Sequence, residues 1–143
     1  MGFYVNPKNR GFWESIRSKI YVDKTGLISC TNEYINTEQK FICVSRPRRF
    51  GKSMALKMLA AYYSRGCDSA DLFAGLQIER EETYRQHLNQ YDVIWLNMQQ
   101  FLIEAAPGKV TEYLTEEVMR ELKKEYGELL DCQDRGLAVA LRE

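Results

Sequence analysis

The chain has 143 residues, 45% hydrophobic and 28% charged, the balance of a globular protein with length for one sizeable core. Lys plus Arg equals Asp plus Glu at 20 each, so net charge gives no sign of a polyanionic partner and any basic character is local. No run reaches the ~20 apolar residues of a membrane span, and the charged start "MGFYVNPKNRGFWESI" lacks an apolar signal core. A cytoplasmic protein without a membrane partner is expected. Gly2 invites N-myristoylation, but Asn6 stands where that signal needs Ser or Thr.

In chain order, Pro7 and Gly11 interrupt the first stretch, and "FWESIRSK" and then residues 25–36 predict helices on either side of an extended "KIYV". "KFICV", residues 40–44, is a compact apolar run without alternation, which predicts a strand buried on both faces. "KSMALKMLAAYYSR" predicts a largely buried helix that Gly66 stops. "DSADLFAGL" adds a short helix, "REETYRQHLNQ" an exposed polar helical segment, and "DVIWLNM" a second apolar strand. After Pro107-Gly108 a long helix is expected from Lys109 to Asp131, on the spacing of Val110, Tyr113, Leu114, Val118, Leu122, Tyr126 and Leu129. Asp131 to Gly136 breaks it before "LAVALRE". This order predicts an α/β domain with a parallel sheet. Two or three strands make a thin sheet, so the chain reads as the opening part of a larger domain.

The four cysteines, Cys30, Cys43, Cys67 and Cys132, lack the spacing of a zinc site, and His87 has no neighbouring ligand. Free thiols are expected, with Cys43 a small buried hydrophobe and His87 a surface residue.

Between the predicted strand and helix lies "SRPRRFGKS". A phosphate-binding loop curls backbone N–H groups around an anion at a helix N-terminus. Its lysine contacts the β- and γ-phosphates, and the next hydroxyl ligates magnesium. Gly51, Lys52 and Ser53 fit the end of G-x-x-x-x-G-K-[ST], but Arg46 stands in place of the first glycine and Pro47 removes an amide donor. Arg46, Arg48 and Arg49 add guanidinium groups able to touch phosphate. A basic surface turn competes with the nucleotide reading.

"SRPRRFGKSMALKML", preceded by "YVDKTGLI" and followed by "DLFAGLQI", resembles the AAA-ATPase-like family of predicted bacterial ATPases. The family's loop typically reads Arg-Pro-Arg-Arg-Phe-Gly-Lys-Ser, so the resemblance makes Arg46 a family form rather than a lesion. It implies a P-loop NTPase-like three-layer α/β/α fold with a parallel sheet, incomplete in this chain. Residues 1–36 would be a lead-in carrying YVDKT, and residues 37–143 the loop strand, helix and following elements. It also implies ATP and Mg²⁺ as cofactors. Lys52 becomes the catalytic phosphate-contacting lysine and Ser53 the metal ligand. Arg46, Pro47, Arg48, Arg49, Phe50, Gly51, Lys52, Ser53 and Met54 form the nucleotide-binding loop, with Asp23 near the adenine. Relatives continue into a nuclease-like domain of the PD-(D/E)XK type. The resemblance further implies a Walker B acid after a later strand, where this chain has Asn97, and Glu104 lies too far along to replace it. Hydrolysis by this chain alone is therefore not expected. The competing readings are a nucleic-acid or polyanion module using the Arg46–Lys52 cluster, with Phe50, Tyr62 and Tyr63 as stacking groups, and a non-catalytic interaction domain.

Overall fold

The computed structural model of the chain describes residues 2–127, 137 and 141. Among them the regular structure is helical: α1 Arg10–Ile16, α2 Gly26–Tyr34, α3 Lys52–Tyr63, α4 Ala70–Phe73, α5 Tyr84–His87, α6 Met98–Glu104 and α7 Val110–Tyr126, with a 3-10 turn at Gln77–Arg80. They fall into two compact units, Lys8–Val93 and Met1–Pro7 with Ile94–Glu143.

In the Lys8–Val93 unit α1 packs on α3 and α2 on the 3-10 turn. Phe12, Ile28, Met58, Ala61, Tyr62, Phe73, Ile78 and Tyr84 form one buried cluster. Phe12 stacks on Phe73 at 4.9 Å between ring centroids, and Tyr62 meets Phe73 edge-on at 5.5 Å. The C-terminus of α3 is fixed by one residue. A helix end leaves its last carbonyls without intrahelical donors, and here Asn89 supplies most of them. Its Nδ2 donates to the Ala61 and Ser64 carbonyls at 3.0 and 2.7 Å. Its backbone N–H donates to Tyr62 O at 2.7 Å, and that of Tyr91 to Tyr63 O at 2.9 Å. Asn89 adopts φ 56° to do so, a left-handed conformation that asparagine tolerates better than most residues. The far end of α3 is thereby held while its N-terminus carries the basic loop.

The expected three-layer α/β/α fold with a parallel sheet is corrected by this structure. Among the described residues there is no sheet, and the only pairings are the isolated bridges Val5–Ile94, antiparallel, and Ser64–Tyr91, parallel. "KFICV" runs without a partner strand, with Phe41 89% exposed and Ile42 and Val44 about half exposed. An apolar run becomes a strand only when another chain segment takes its amides and carbonyls, and none among the described residues does so. Cys43 is accordingly exposed rather than buried. Ile42 and Val44 instead border a cleft of about 720 Å³ with Leu27, Leu56, Leu59 and Tyr63, and Lys52 and Ser53 also line it. The helix expected to be largely buried is so only on its C-terminal half: Met58, Ala60, Ala61 and Tyr62 are buried, while Leu56 is exposed. "DVIWLNM" is likewise not a strand beyond its isolated bridge. "REETYRQHLNQ" folds only as the short α5, with Tyr84 buried under it.

In the other unit Tyr4, Val5, Phe101, Val118 and Leu122 form the core. The helix expected from Lys109 is present as α7, with Val118 and Leu122 inside as its spacing predicts; Asp131–Gly136 lies outside the described residues, as does most of "LAVALRE". Glu121 on α7 gathers the N-terminal segment: one carboxylate oxygen accepts from Phe3 N at 2.8 Å, the other from Tyr4 N and Val5 N at 2.7 and 2.8 Å. Gly2 permits this approach, because a Cβ there would fall 2.1 Å from the carboxylate. Asn97 begins α6, its side chain accepting from Gln99 N at 3.2 Å. No helix among the described residues is long and apolar enough to cross a membrane.

Candidate phosphate-binding loop

Every residue from Arg46 to Phe50 is exposed. The loop turns sharply into α3 through two left-handed residues, Arg49 at φ 67° and Gly51 at φ 82°. Gly51 is the N-cap, and no side chain caps the helix. The first amide of α3 with a carbonyl partner is that of Ala55, bonded to Gly51 O at 2.9 Å. The amides of Lys52, Ser53 and Met54 are the usual orphan donors of a helix start, at the positive end of the helix dipole.

Arg46, Arg48, Arg49 and Lys52 lie in or next to this loop and Lys24 reaches it, and among the described residues none of the five has an acidic partner. Lys52 folds back over its own loop, its Nζ donating to Arg46 O and, at 2.9 Å, to Pro47 O. Arg46 and Pro47 thus take part through their carbonyls, which hold the lysine above the turn. The Ser53 side chain is exposed, and Met54 lies within 3.6 Å of where a Cβ on Gly51 would sit.

Asp23 makes a tight local clasp. Its Oδ1 accepts from the Thr25 hydroxyl and amide at 2.7 and 2.8 Å, and its Oδ2 from Gln77 N at 2.8 Å. Thr25 is fully buried, and its hydroxyl accepts from Ile78 N at 3.2 Å. Partial burial pushes the Asp23 carboxyl up, but the bonds from the Thr25 hydroxyl, the Gln77 amide and the Thr25 amide outweigh it and hold the group below its ordinary 3.8. A lowered carboxyl stabilises the fold fully above that ordinary value and ceases to as pH falls through the lowered one. Lys24 is the contact that the sequence did not disclose: its Nζ reaches Phe50 O at 3.1 Å.

Two tyrosines of this unit set an upper pH limit. Burial, with the Asp23 charge adding, pushes Tyr21 up to about 12. Burial also pushes Tyr63 up to about 12, although its bond to Thr31 acts the other way. A raised phenol stabilises fully below its unfolded value near 10 and loses that contribution as pH rises toward 12. Ultraviolet titration should therefore show Tyr21 and Tyr63 among the late phenolates, with Tyr4, Tyr62 and Tyr84 also raised by burial, ionising together with loss of helical circular dichroism. Ionisation of every tyrosine near 10 with the helices intact would contradict this.

Arg49 stores strain, since a non-glycine residue at φ 67° costs on the order of 1 kcal/mol. Arg49→Gly should raise the thermal stability of the free protein by up to about 1 kcal/mol. A lower melting temperature would show the strain assignment to be wrong.

Helix N-termini with free amides are the kind of end at which anions are commonly held. The family model described as a predicted AAA-ATPase matches residues 12–140. The chain belongs to that family. No curated protein and no solved structure gives a match.

Proposed function

We propose that this chain binds a nucleoside triphosphate, ATP with Mg²⁺, through the loop Arg46 to Met54. The observation that carries the reading is the N-terminus of α3, where, among the described residues, the amides of Lys52, Ser53 and Met54 have no carbonyl partner and the cations of the loop and Lys24 have no acidic one. Membership of a predicted ATPase family supports it. The amides and the α3 dipole receive phosphate oxygens, and Arg46, Arg48 and Arg49 neutralise the remaining charge. Lys52 exchanges the Arg46 and Pro47 carbonyls for the β- and γ-phosphates.

Among the described residues no cluster of three metal-ligating side chains exists. Magnesium fits this site as an ion that arrives with the nucleotide and takes Ser53 Oγ as its protein ligand, in keeping with its usual reliance on phosphate and water oxygens. Asp23 belongs near the base in this reading, and an Asp23→Ala variant with unchanged ATP affinity would remove it from the site. The reading is one of binding. Asn97, which stands where the resemblance places an acid, caps α6 and offers no carboxylate.

Thermal stability measured against ATP–Mg tests the proposal. A ligand confined to the native state adds about 2.7 kcal/mol at a hundredfold excess over its dissociation constant, and Lys52→Ala should lose that gain. No shift in the wild type, or an equal shift in both proteins, refutes it. A polyanion module is the second reading, favoured by Phe50 standing 62% exposed among the arginines. Of its other stacking candidates, Tyr62 is fully buried. Salt-steep binding to single-stranded DNA that ATP does not compete away would favour it instead.

A further inference from the structure

The segment YVDKT has a geometry that suggests a job. Asp23 is exposed and Thr25 buried, and each accepts a bond from the 3-10 turn: Gln77 N donates to Asp23 Oδ2 at 2.8 Å and Ile78 N to Thr25 Oγ1 at 3.2 Å, while Thr25 N donates to Asp23 Oδ1 at 2.8 Å. Thr25, fully buried, precedes α2, and Ile78 is fully buried in the core. The backbone on both sides of Lys24 is thereby fixed to the 3-10 turn. Lys24 itself points away, exposed, and its ammonium lies on the carbonyl of Phe50, 26 residues further on.

The same ammonium would stand 2.9 Å from a Cβ on Gly51. Glycine at this place therefore serves two requirements, the left-handed φ of 82° and room for a lysine that comes from outside the loop. Lys52 holds the front of the loop by the Arg46 and Pro47 carbonyls, and Lys24 holds its back by the Phe50 carbonyl. With its carbonyl fixed, the Phe50–Gly51 peptide has a defined orientation, and that peptide sets where α3 begins.

We infer that Lys24 is a positioning residue for the phosphate loop, anchored by Asp23 and Thr25 and acting on the Phe50–Gly51 peptide. The tether itself needs no nucleotide, whereas its consequence for affinity rests on the ATP reading above. Sequence position gives no hint of it, because the lysine and the peptide meet only in the fold.

Limited trypsin digestion of the full chain separates the two parts. Cleavage after Arg48 and Arg49 should be about five- to tenfold faster in Lys24→Met than in wild type, the loss of one charge-assisted bond. Cleavage after Arg120 should not change, the melting temperature should fall by no more than a few degrees, and Lys24→Arg, which can still reach the carbonyl, should restore slow cleavage. Wild-type cleavage rates in Lys24→Met, or equal acceleration at every site, overturn the inference. In ATP–Mg titrations Lys24→Met should bind about tenfold more weakly and Lys24→Arg close to wild type. A loosened loop with unchanged ATP affinity refutes the positioning role. Absence of binding by the wild type refutes the ATP reading and with it the affinity consequence, and the digestion then still decides the tether.

Discussion

Tyr62→Ala will remove about 3–5 kcal/mol from the stability of the Lys8–Val93 unit. Tyr62 is fully buried on α3, with its ring edge-on to Phe73 and to Tyr63. Its hydroxyl donates to Tyr84 O at 2.8 Å and accepts from Asn32 Nδ2 at 3.2 Å. Truncation leaves a cavity among aromatic side chains that close in only partly, and it removes one of two bonds from the Tyr84 carbonyl, which keeps Leu88 N, and from the Asn32 amide, which keeps Thr83 Oγ1. A domain's whole stability is about 5–15 kcal/mol, so this one change removes a large share of it. Tyr62→Phe keeps the packing and should lose only about 0.5–1.5 kcal/mol, because the carbonyl and the amide each keep another partner. Urea unfolding followed by circular dichroism gives both values. A loss below about 1 kcal/mol for the alanine variant would show that α3 is not seated as described.

Glu121→Ala should be the most damaging polar substitution of the other unit, at about 2–4 kcal/mol. One carboxylate there satisfies three successive amides, those of Phe3, Tyr4 and Val5, and bonds to a charged acceptor contribute about 1.5–3 kcal/mol each when sheltered from water. Tyr4 and Val5 are core residues, so releasing their backbone also loosens the packing on Phe101, Val118 and Leu122. Glu121→Gln should fall between, because its amide nitrogen faces donors. With Trp13 changed to Phe, Trp95 fluorescence reports on this unit alone. Urea midpoints for Glu121→Ala within error of the parent would exclude the carboxylate as the clasp.

The helices were the legible part of this fold, for reasons visible in single residues. α3 follows from a run of good helix formers after Gly51, and α7 from apolar positions that bury Val118 and Leu122. Helical hydrogen bonds are local, so a local pattern suffices to predict them. Strands depend on distant partners, and "KFICV" and "DVIWLNM" are apolar enough to suggest strands without specifying anything to pair with. The second misreading also hid α6, although Asn97 before "MQQFLIE" was a helix-start signal of the usual kind.

The candidate site divides the same way. Gly51, Lys52 and Ser53 stood out because the phosphate-loop pattern they match is contiguous in sequence. The carbonyl contacts of Lys52 depend on the left-handed turn at Arg49 and Gly51, and no residue pattern announced that turn. Asp23 and Thr25 were noticeable as part of YVDKT, but their partners Gln77 and Ile78 lie more than fifty residues on. Lys24 acts across the fold on a backbone carbonyl, which any residue type can supply, so composition at position 50 carries no trace of the contact.

Amide hydrogen exchange across residues 46–56, with and without ATP–Mg, tests the central claim most directly, because it reports on the donors that the claim assigns to phosphate. Protection should appear at Gly51, Lys52, Ser53 and Met54, where partners are lacking at the start of α3, and should vanish in Lys52→Ala. Unchanged exchange at those four amides under saturating ATP–Mg, or protection that survives Lys52→Ala, would contradict the nucleotide-binding role of this loop.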